Sequence, residues 1–237
     1  MENETLTKKI SEYQLVMSKF VHEIRNPLTL VSCELQMLTS NHPEAEDWRE
    51  VYDLQEHLTY IKNLISEFSD YSNAGRLVIK PADTNLFLSH MADNFRPMFE
   101  YLGIRFITDF SPNLPEILAD TLRLRQAITN ILRNAEESIS HDHGEIIFSA
   151  NVVSLDTQNT VPNHVLHISI CDNGCGITPE QFADLGTPFV THKENGTGLG
   201  LTITKQIVES HGGKMNIESI SEKGTTVHLY LPLNLNP

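Results

Sequence analysis

His22-Glu23-Ile24-Arg25-Asn26-Pro27-Leu28 lies in a segment where apolar residues return at Ile10, Tyr13, Met17, Phe20, Ile24, Leu28, Val31, Leu35 and Leu38. Steps of three and four put them on one stripe of a helix that buries a single side. His22 stands two residues from Phe20 and from Ile24, roughly 200° around the axis at about 3.6 residues per turn, so it faces solvent. Glu23 is its neighbour, and Asn26 follows one turn later on the same exposed side. A solitary exposed histidine has no meaning of its own. Flanked by a carboxylate and a carboxamide on the polar face of a long helix, it reads as a presented nucleophile. Pro27 removes a backbone hydrogen bond within that helix and is expected to bend it one turn after His22.

Asn41-His42-Pro43 interrupts the stripe, and Pro43 suits the first turn of a new helix. Val51, Leu54, Leu58, Ile61, Ile65 and Phe68 then repeat the same alternation. Two helices over Thr5–Ser72 joined by a tight turn form an antiparallel hairpin. One hairpin cannot bury two full stripes, so a homodimer through residues 5–72, closing an all-α four-helix bundle, is the expected completion. Ser72-Asn73-Ala74-Gly75 reads as a hinge, which divides the chain into domains 1–74 and 75–237.

Beyond the hinge the periodicity is mixed. Strands are expected at Leu77-Val78-Ile79, Ile104–Phe110, 145–153, 165–171, 214–220 and 225–231. Helices are expected over 84–102, with Leu86, Met91, Phe95 and Met98 on or near the inner face, over Asp120–Ser140 with Asp120 as its cap, and over 199–211. A polar loop separates the middle strands, and His211-Gly212-Gly213 ends the last helix. The pattern is an α+β two-layer sandwich, helices on a mostly antiparallel sheet.

Composition excludes several classes. The 237 residues carry a formal net charge of −14, which argues against nucleic acid as a partner. No apolar run of about 18 residues offers a membrane span. Cys33, Cys171 and Cys175 are an odd, scattered set that fits a reducing compartment, so a cytoplasmic location is expected.

Three clusters in the second region carry phosphate chemistry. Asn130 and Asn134, in Asn130-Ile131-Leu132-Arg133-Asn134, share a helix face and can reach one ligand, and carboxamide oxygens suit Mg²⁺ that already holds phosphate oxygens. Asp172-Asn173-Gly174-Cys175-Gly176-Ile177 follows an apolar strand; its carboxylate can accept from an exocyclic amine while its glycines let backbone approach a flat base. Lys193-Glu194-Asn195-Gly196-Thr197-Gly198-Leu199-Gly200-Leu201 places free amides at a helix N-terminus. It is not a Walker loop, since no Gly-Lys-Ser/Thr follows, and its Gly-x-Gly-x-Gly spacing does not make a dinucleotide fingerprint.

In this order the motifs resemble the catalytic core of a bacterial sensor histidine kinase, over about Ser11 to Pro232. His22–Leu28 is similar to the family's H box, Asn130–Asn134 with Ala135 to its N box, and Asp172–Ile177 to its first glycine box. Thr187–Lys193 resembles the F box and Gly196–Leu201 the second glycine box. Gly224-Thr225-Thr226 resembles the closing glycine-threonine element. The Thr187–Leu201 and His211–Lys214 segments resemble sporulation-type phosphorelay kinases. The resemblance implies a second domain of the histidine kinase/Hsp90-like type, with ATP and Mg²⁺ as cofactors and the receiver domain of a response regulator as partner. It implies His22 as phospho-acceptor, Glu23 as proton acceptor and Asn26 as the residue orienting water in regulator dephosphorylation. It further implies Asn134 as Mg²⁺ ligand, Asn130 and Arg133 as phosphate supports, and Asp172 with Gly174, Gly176, Ile177 and Thr225 at adenine. Phe189 to Gly200, including Lys193, Gly196, Thr197, Gly198 and Leu199, would form a lid over the triphosphate.

Val21 before His22, and Val190 and His192 in the F box, depart from the family's usual residues. Only about 20 residues precede His22, with no sensor domain, so either the chain is part of a longer protein or a separate sensor protein supplies its signal. ATP-hydrolysing relatives and the anti-sigma serine kinases carry a Glu where Asn130 stands, and an amide cannot act as a base. A phosphotransfer scaffold with a degenerate nucleotide domain is the other alternative, and the complete glycine clusters count against it. His141-x-His143, His164-x-x-His167 and Cys171-x-x-x-Cys175 have spacing too irregular for zinc.

Overall fold

The two apolar stripes of the first region become two helices, α1 (Glu2–Asn41) and α2 (Arg49–Asn73). The computed structural model describes residues 2–140, 142–155, 163–191, 193 and 196–233, with side chains from residue 19 onward except at 155 and 163. Readings that involve His141, His192, Glu194, Asn195, the loop 156–162, or the side chains of Ile10, Tyr13 and Met17 lie outside the described residues. By its packing the chain divides into two units, Met1–Asn73 and Ala74–Pro237.

In the first unit, Val21, Ala45, Val51 and Leu58 are buried where the helices meet. Helix α1 continues through Pro27. Pro43 opens not α2, as the sequence reading has it, but a separate 3₁₀ turn, Pro43–Asp47. Its missing N–H costs nothing at a first helical position, and Trp48 then breaks the turn with extended backbone before α2 starts. No helix among the described residues is long and apolar enough to cross a membrane.

The second unit is a two-layer α/β sandwich. Its elements are β1 (Lys80–Ala82), α3 (Thr84–Tyr101), β2 (Arg105–Phe110), β3 (Ile117–Ala119), α4 (Thr121–Ser138), β4 (Glu145–Leu155), β5 (Asn163–Asp172), α5 (Pro179–Ala183), α6 (Gly200–Ser210), β6 (Lys214–Ile220) and β7 (Gly224–Pro232). The main sheet has the order β2-β4-β5-β7-β6; β2 and β4 are parallel and the other pairs antiparallel. Alternation sends Ile146, Phe148 and Ala150 of β4, Leu166, Ile168 and Ile170 of β5, and Leu229 and Leu231 of β7 into the core. Leu88, Met91 and Phe99 of α3, Leu124, Ile128, Ile131 and Leu132 of α4, and Ile203 and Ile207 of α6 are buried as their helical partners. The faces of Phe99 and Phe106, and of Phe110 and Phe148, meet edge-on with centroids 4.9 Å apart.

Two elements differ from expectation. Leu77–Ile79 is not a strand: the Val78 N–H donates to Asp120 Oδ2 over 2.8 Å, a side-chain bond that replaces a sheet ladder. The strand starts at Lys80 and pairs with β3, which the sequence reading does not anticipate. On α3 the inner face is Phe87, Leu88, Met91, Ala92 and Phe99, and Leu86 and Met98 are exposed. Asp83 caps the helix, its side chain accepting from Leu86 N–H.

His211 ties α6 to the start of α4. Its Nδ1 bonds the Ile207 carbonyl at 2.8 Å and its Nε2 accepts from the Asp120 N–H at 3.0 Å, so the buried ring is neutral. Asp120 in turn accepts from Leu122 and Arg123 N–H as the α4 cap. Burial pushes the His211 pKa below its ordinary 6.5, against the opposing pull of Ile207 and Asp120, and burial does the same at His167 beside His228. The unfolded chain takes up protons below pH 6.5 that the folded ring refuses, so stability is full above that value and falls as the pH drops through and below it. Calorimetric melting of the chain at pH 7.5 and 5.5 is expected to show a lower transition at the acid pH. His211→Ala is expected to cost about 2–4 kcal/mol at pH 7.5, from the orphaned Asp120 N–H and the cavity, and to flatten the pH dependence; an undiminished dependence would locate it elsewhere.

Candidate functional site

Asp172 ends β5, where Ile146 of β4 and Thr225 of β7 flank it. It is 8% exposed, and one oxygen carries the local bonding. Oδ1 accepts from Ser138 Oγ at 3.0 Å, Gly174 N–H at 2.9 Å and Thr225 N–H at 3.3 Å. Burial raises the Asp172 pKa, and these three donors and the Lys193 charge pull it back. With Oδ1 so engaged, the carboxylate is fixed in orientation.

The glycines around it are dictated by contact. A Cβ on Gly174 would stand 2.1 Å from Ser138 Oγ. One on Gly224, whose φ is +118°, would stand 2.0 Å from the Asp172 carbonyl oxygen. Gly176 has φ +67° and abuts the Ile220 carbonyl. Cys175 N–H donates to the Ser138 carbonyl and Ile177 N–H to Ser219 Oγ, which fastens this loop to α4 and β6. Thr225 Oγ1 is hydrogen-bonded to Ser219 Oγ at 2.9 Å.

On α4, Asn130 and Asn134 face the same side but do different things. Asn130 Nδ2 donates to the Gly200 carbonyl at 3.1 Å and so ties α4 to the first residue of α6. Asn134 Oδ1 accepts from Lys193 Nζ at 2.9 Å, and the same ammonium is paired with Glu137. That an ammonium already sits on this amide oxygen shows that its surroundings favour a cation, which fits a hard divalent ion. Arg133 is exposed and, among the described residues, stands outside this network.

The Phe189–Gly200 segment divides into exposed and anchored parts. Phe189 is exposed with φ +65°, and Gly198 with φ +71° lies against the Val190 backbone. Gly196 N–H closes a turn on the Lys193 carbonyl, and Thr197 Oγ1 accepts from Leu199 N–H. Leu199 is fully buried and anchors the start of α6, so its side chain serves the core and its backbone alone faces the glycine-rich turn.

In the first unit His22, Glu23 and Asn26 are all exposed on α1. Val21, by contrast, is buried, so its bulk packs inside the hairpin instead of over the imidazole. The sequence reading misses three residues of the second unit: Ser138 and Ser219, which support Asp172 and its loop, and Glu137. Ser138 continues the four-residue step of Asn130 and Asn134, a spacing that points to it; nothing local marks Ser219.

Residues 119–235 match the family described as histidine kinase-, DNA gyrase B- and HSP90-like ATPase. The chain is 30% identical over 235 residues to sporulation kinase B of Bacillus subtilis (strain 168), covering 97% of this chain and 52% of that protein. It is 30% identical over 225 residues to the sensory histidine kinase/phosphatase NtrB of Vibrio alginolyticus, covering 93% of this chain and 62% of the relative. The structure of full-length ShkA in complex with AMPPNP superposes with a TM-score of 0.75 at 26% identity, over 91% of this chain and 45% of that one. The chain thus spans about half to three fifths of the length of these two relatives. An ATPase-type domain whose glycines and carboxylate are placed by contact, joined to a helical hairpin over nearly the whole matched length, puts this chain among the bacterial sensor histidine kinases, as a catalytic core of that family.

Proposed function

We propose that the chain is an ATP-dependent protein histidine kinase that phosphorylates itself on His22 and passes the phosphoryl group to an aspartate of a response-regulator receiver domain. The observation that carries this reading is the exposed His22 imidazole beside the exposed Glu23 carboxylate on α1, in a chain that also holds an ATPase-type domain. A ring nitrogen attacks the γ-phosphorus, the bond from that phosphorus to the β,γ-bridging oxygen breaks, and ADP leaves. Glu23 takes the proton that the imidazole loses.

In this reading Asp172 Oδ2 accepts from the adenine amine, and Lys193 with the backbone amides of Gly196–Gly200 neutralises phosphate charge. Mg²⁺, held by Asn134, supplies further charge neutralisation on the phosphates. Asn26 orients water when the phosphorylated regulator is dephosphorylated, a reading in line with the kinase/phosphatase name of one relative.

The unit with His22 serves dimerisation and phosphotransfer. Phe20 and Leu54, 54% and 50% exposed, and Val31, Leu38 and Ile61 lie on the two stripes and remain accessible in one chain, which supports a second copy completing a four-helix bundle. Three free cysteines support a cytoplasmic setting. The test is incubation with γ-labelled ATP and Mg²⁺. Label that is lost in acid and kept in alkali is the expected phosphohistidine; acid-stable label, or none despite ATP binding, would sink the reading.

A further inference from the structure

Lys193 belongs to the segment between α5 and α6, yet its ammonium is held on α4 by Asn134 Oδ1, at 2.9 Å, and by Glu137. Asn134 and Glu137 stand one turn apart on one helix face, so their oxygens converge on a single cation. The ammonium also lies close enough to the Asp172 carboxylate to favour its charged form. Both members of the ion pair are about half exposed, at 47% and 48%, so water screens them and the pair can be exchanged.

We propose that Glu137 and Lys193 form a latch on the metal-binding amide. Lys193 holds the cation position on Asn134 Oδ1, Glu137 positions it there, and Mg²⁺-nucleotide displaces it. The inference rests on Asn134 as the Mg²⁺ ligand, as proposed above. A dication and an ammonium drawn to the same amide oxygen repel each other. The ammonium therefore leaves as the metal arrives. Three residues before Gly196, it is then placed to meet the incoming phosphates, so one positive charge moves from the protein's own carboxylate to the substrate. Glu137 is a positioning residue in this exchange and touches no reacting atom.

The rival explanation is that Glu137 acts only through its negative charge, which repels the phosphates whatever Lys193 does. A double-mutant cycle separates the two. Binding of a fluorescent trinitrophenyl-ADP probe with Mg²⁺ would be measured for the full chain, Glu137→Gln, Lys193→Met and the double variant, each checked for unchanged melting. The latch predicts about 5-fold tighter binding on Glu137→Gln when Lys193 is present, and under about 2-fold change in the Lys193→Met background. Equal tightening in both backgrounds, or no change in either, would overturn it. Asn134→Ala separates failure of the latch from failure of the metal assignment. If the Mg²⁺ dependence of probe binding survives that substitution, the assignment falls and the latch with it; if the dependence vanishes but the cycle shows no coupling, only the latch falls.

Discussion

His22→Gln is expected to remove all phosphoryl incorporation while leaving nucleotide affinity unchanged. A glutamine amide nitrogen is not nucleophilic at neutral pH, because its lone pair is delocalised into the carbonyl, whereas a neutral imidazole keeps a basic ring nitrogen in its plane. The position is exposed on α1. The substitution should therefore alter stability by no more than about 0.5 kcal/mol. Label counted after incubation with γ-labelled ATP and Mg²⁺ should fall to background, and displacement of a fluorescent nucleotide should give the affinity of the unaltered chain. Retained label would mean that another side chain is the acceptor. Lost label with lost nucleotide binding would mean that the variant had misfolded, and unchanged melting would guard against that outcome.

Asp172→Asn is expected to weaken ATP by about 3 kcal/mol, roughly 100-fold in affinity. Three donors converge on Oδ1, from Ser138, Gly174 and Thr225. In the variant they select the amide carbonyl for that position and turn the NH₂ group to where Oδ2 stands. A donor then meets the adenine amine, itself a donor, and the pair is repulsive and unsatisfied. The fold should survive, because the backbone donors keep an acceptor. The same geometry predicts a change of preference: a purine triphosphate with a carbonyl in place of the amine, such as ITP, should lose far less affinity than ATP or gain some. Titration of both nucleotides against the two proteins measures this. Equal weakening of ATP and ITP would show that the carboxylate supports the loop without reading the base.

These two substitutions differ in what made their residues visible. His22 stands out through helical spacing together with its close neighbours Glu23 and Asn26, and the structure exposes all three. Asp172 stands out through its place at the end of an apolar strand before two glycines. Which of its oxygens is engaged depends on Ser138, 34 residues earlier, and on Thr225, 53 residues later. Nothing in the sequence around Asp172 contains those partners. Leu199 divides differently: it lies inside the glycine-rich motif, and its side chain is buried in the core, so only its backbone is left to act with the neighbouring glycines.

What the amino-acid sequence determined by itself is whatever rests on neighbours in the chain. That covers the two long helices, whose stripes repeat every three or four residues, the Asp120 cap, the alternating strands β4 to β7, and the order of the polar clusters along them. Tertiary structure alone decided the pairing of β1 with β3, the rotation of α3 that exposes Leu86 and Met98, the His211 bridge to Asp120, and the hold of Asn134 and Glu137 on Lys193. The physical reason is range. Helical and strand periodicity follow from backbone geometry within a few residues, whereas three-residue strands, buried imidazoles and shared cation sites are set by groups that only the folded chain brings within hydrogen-bond reach.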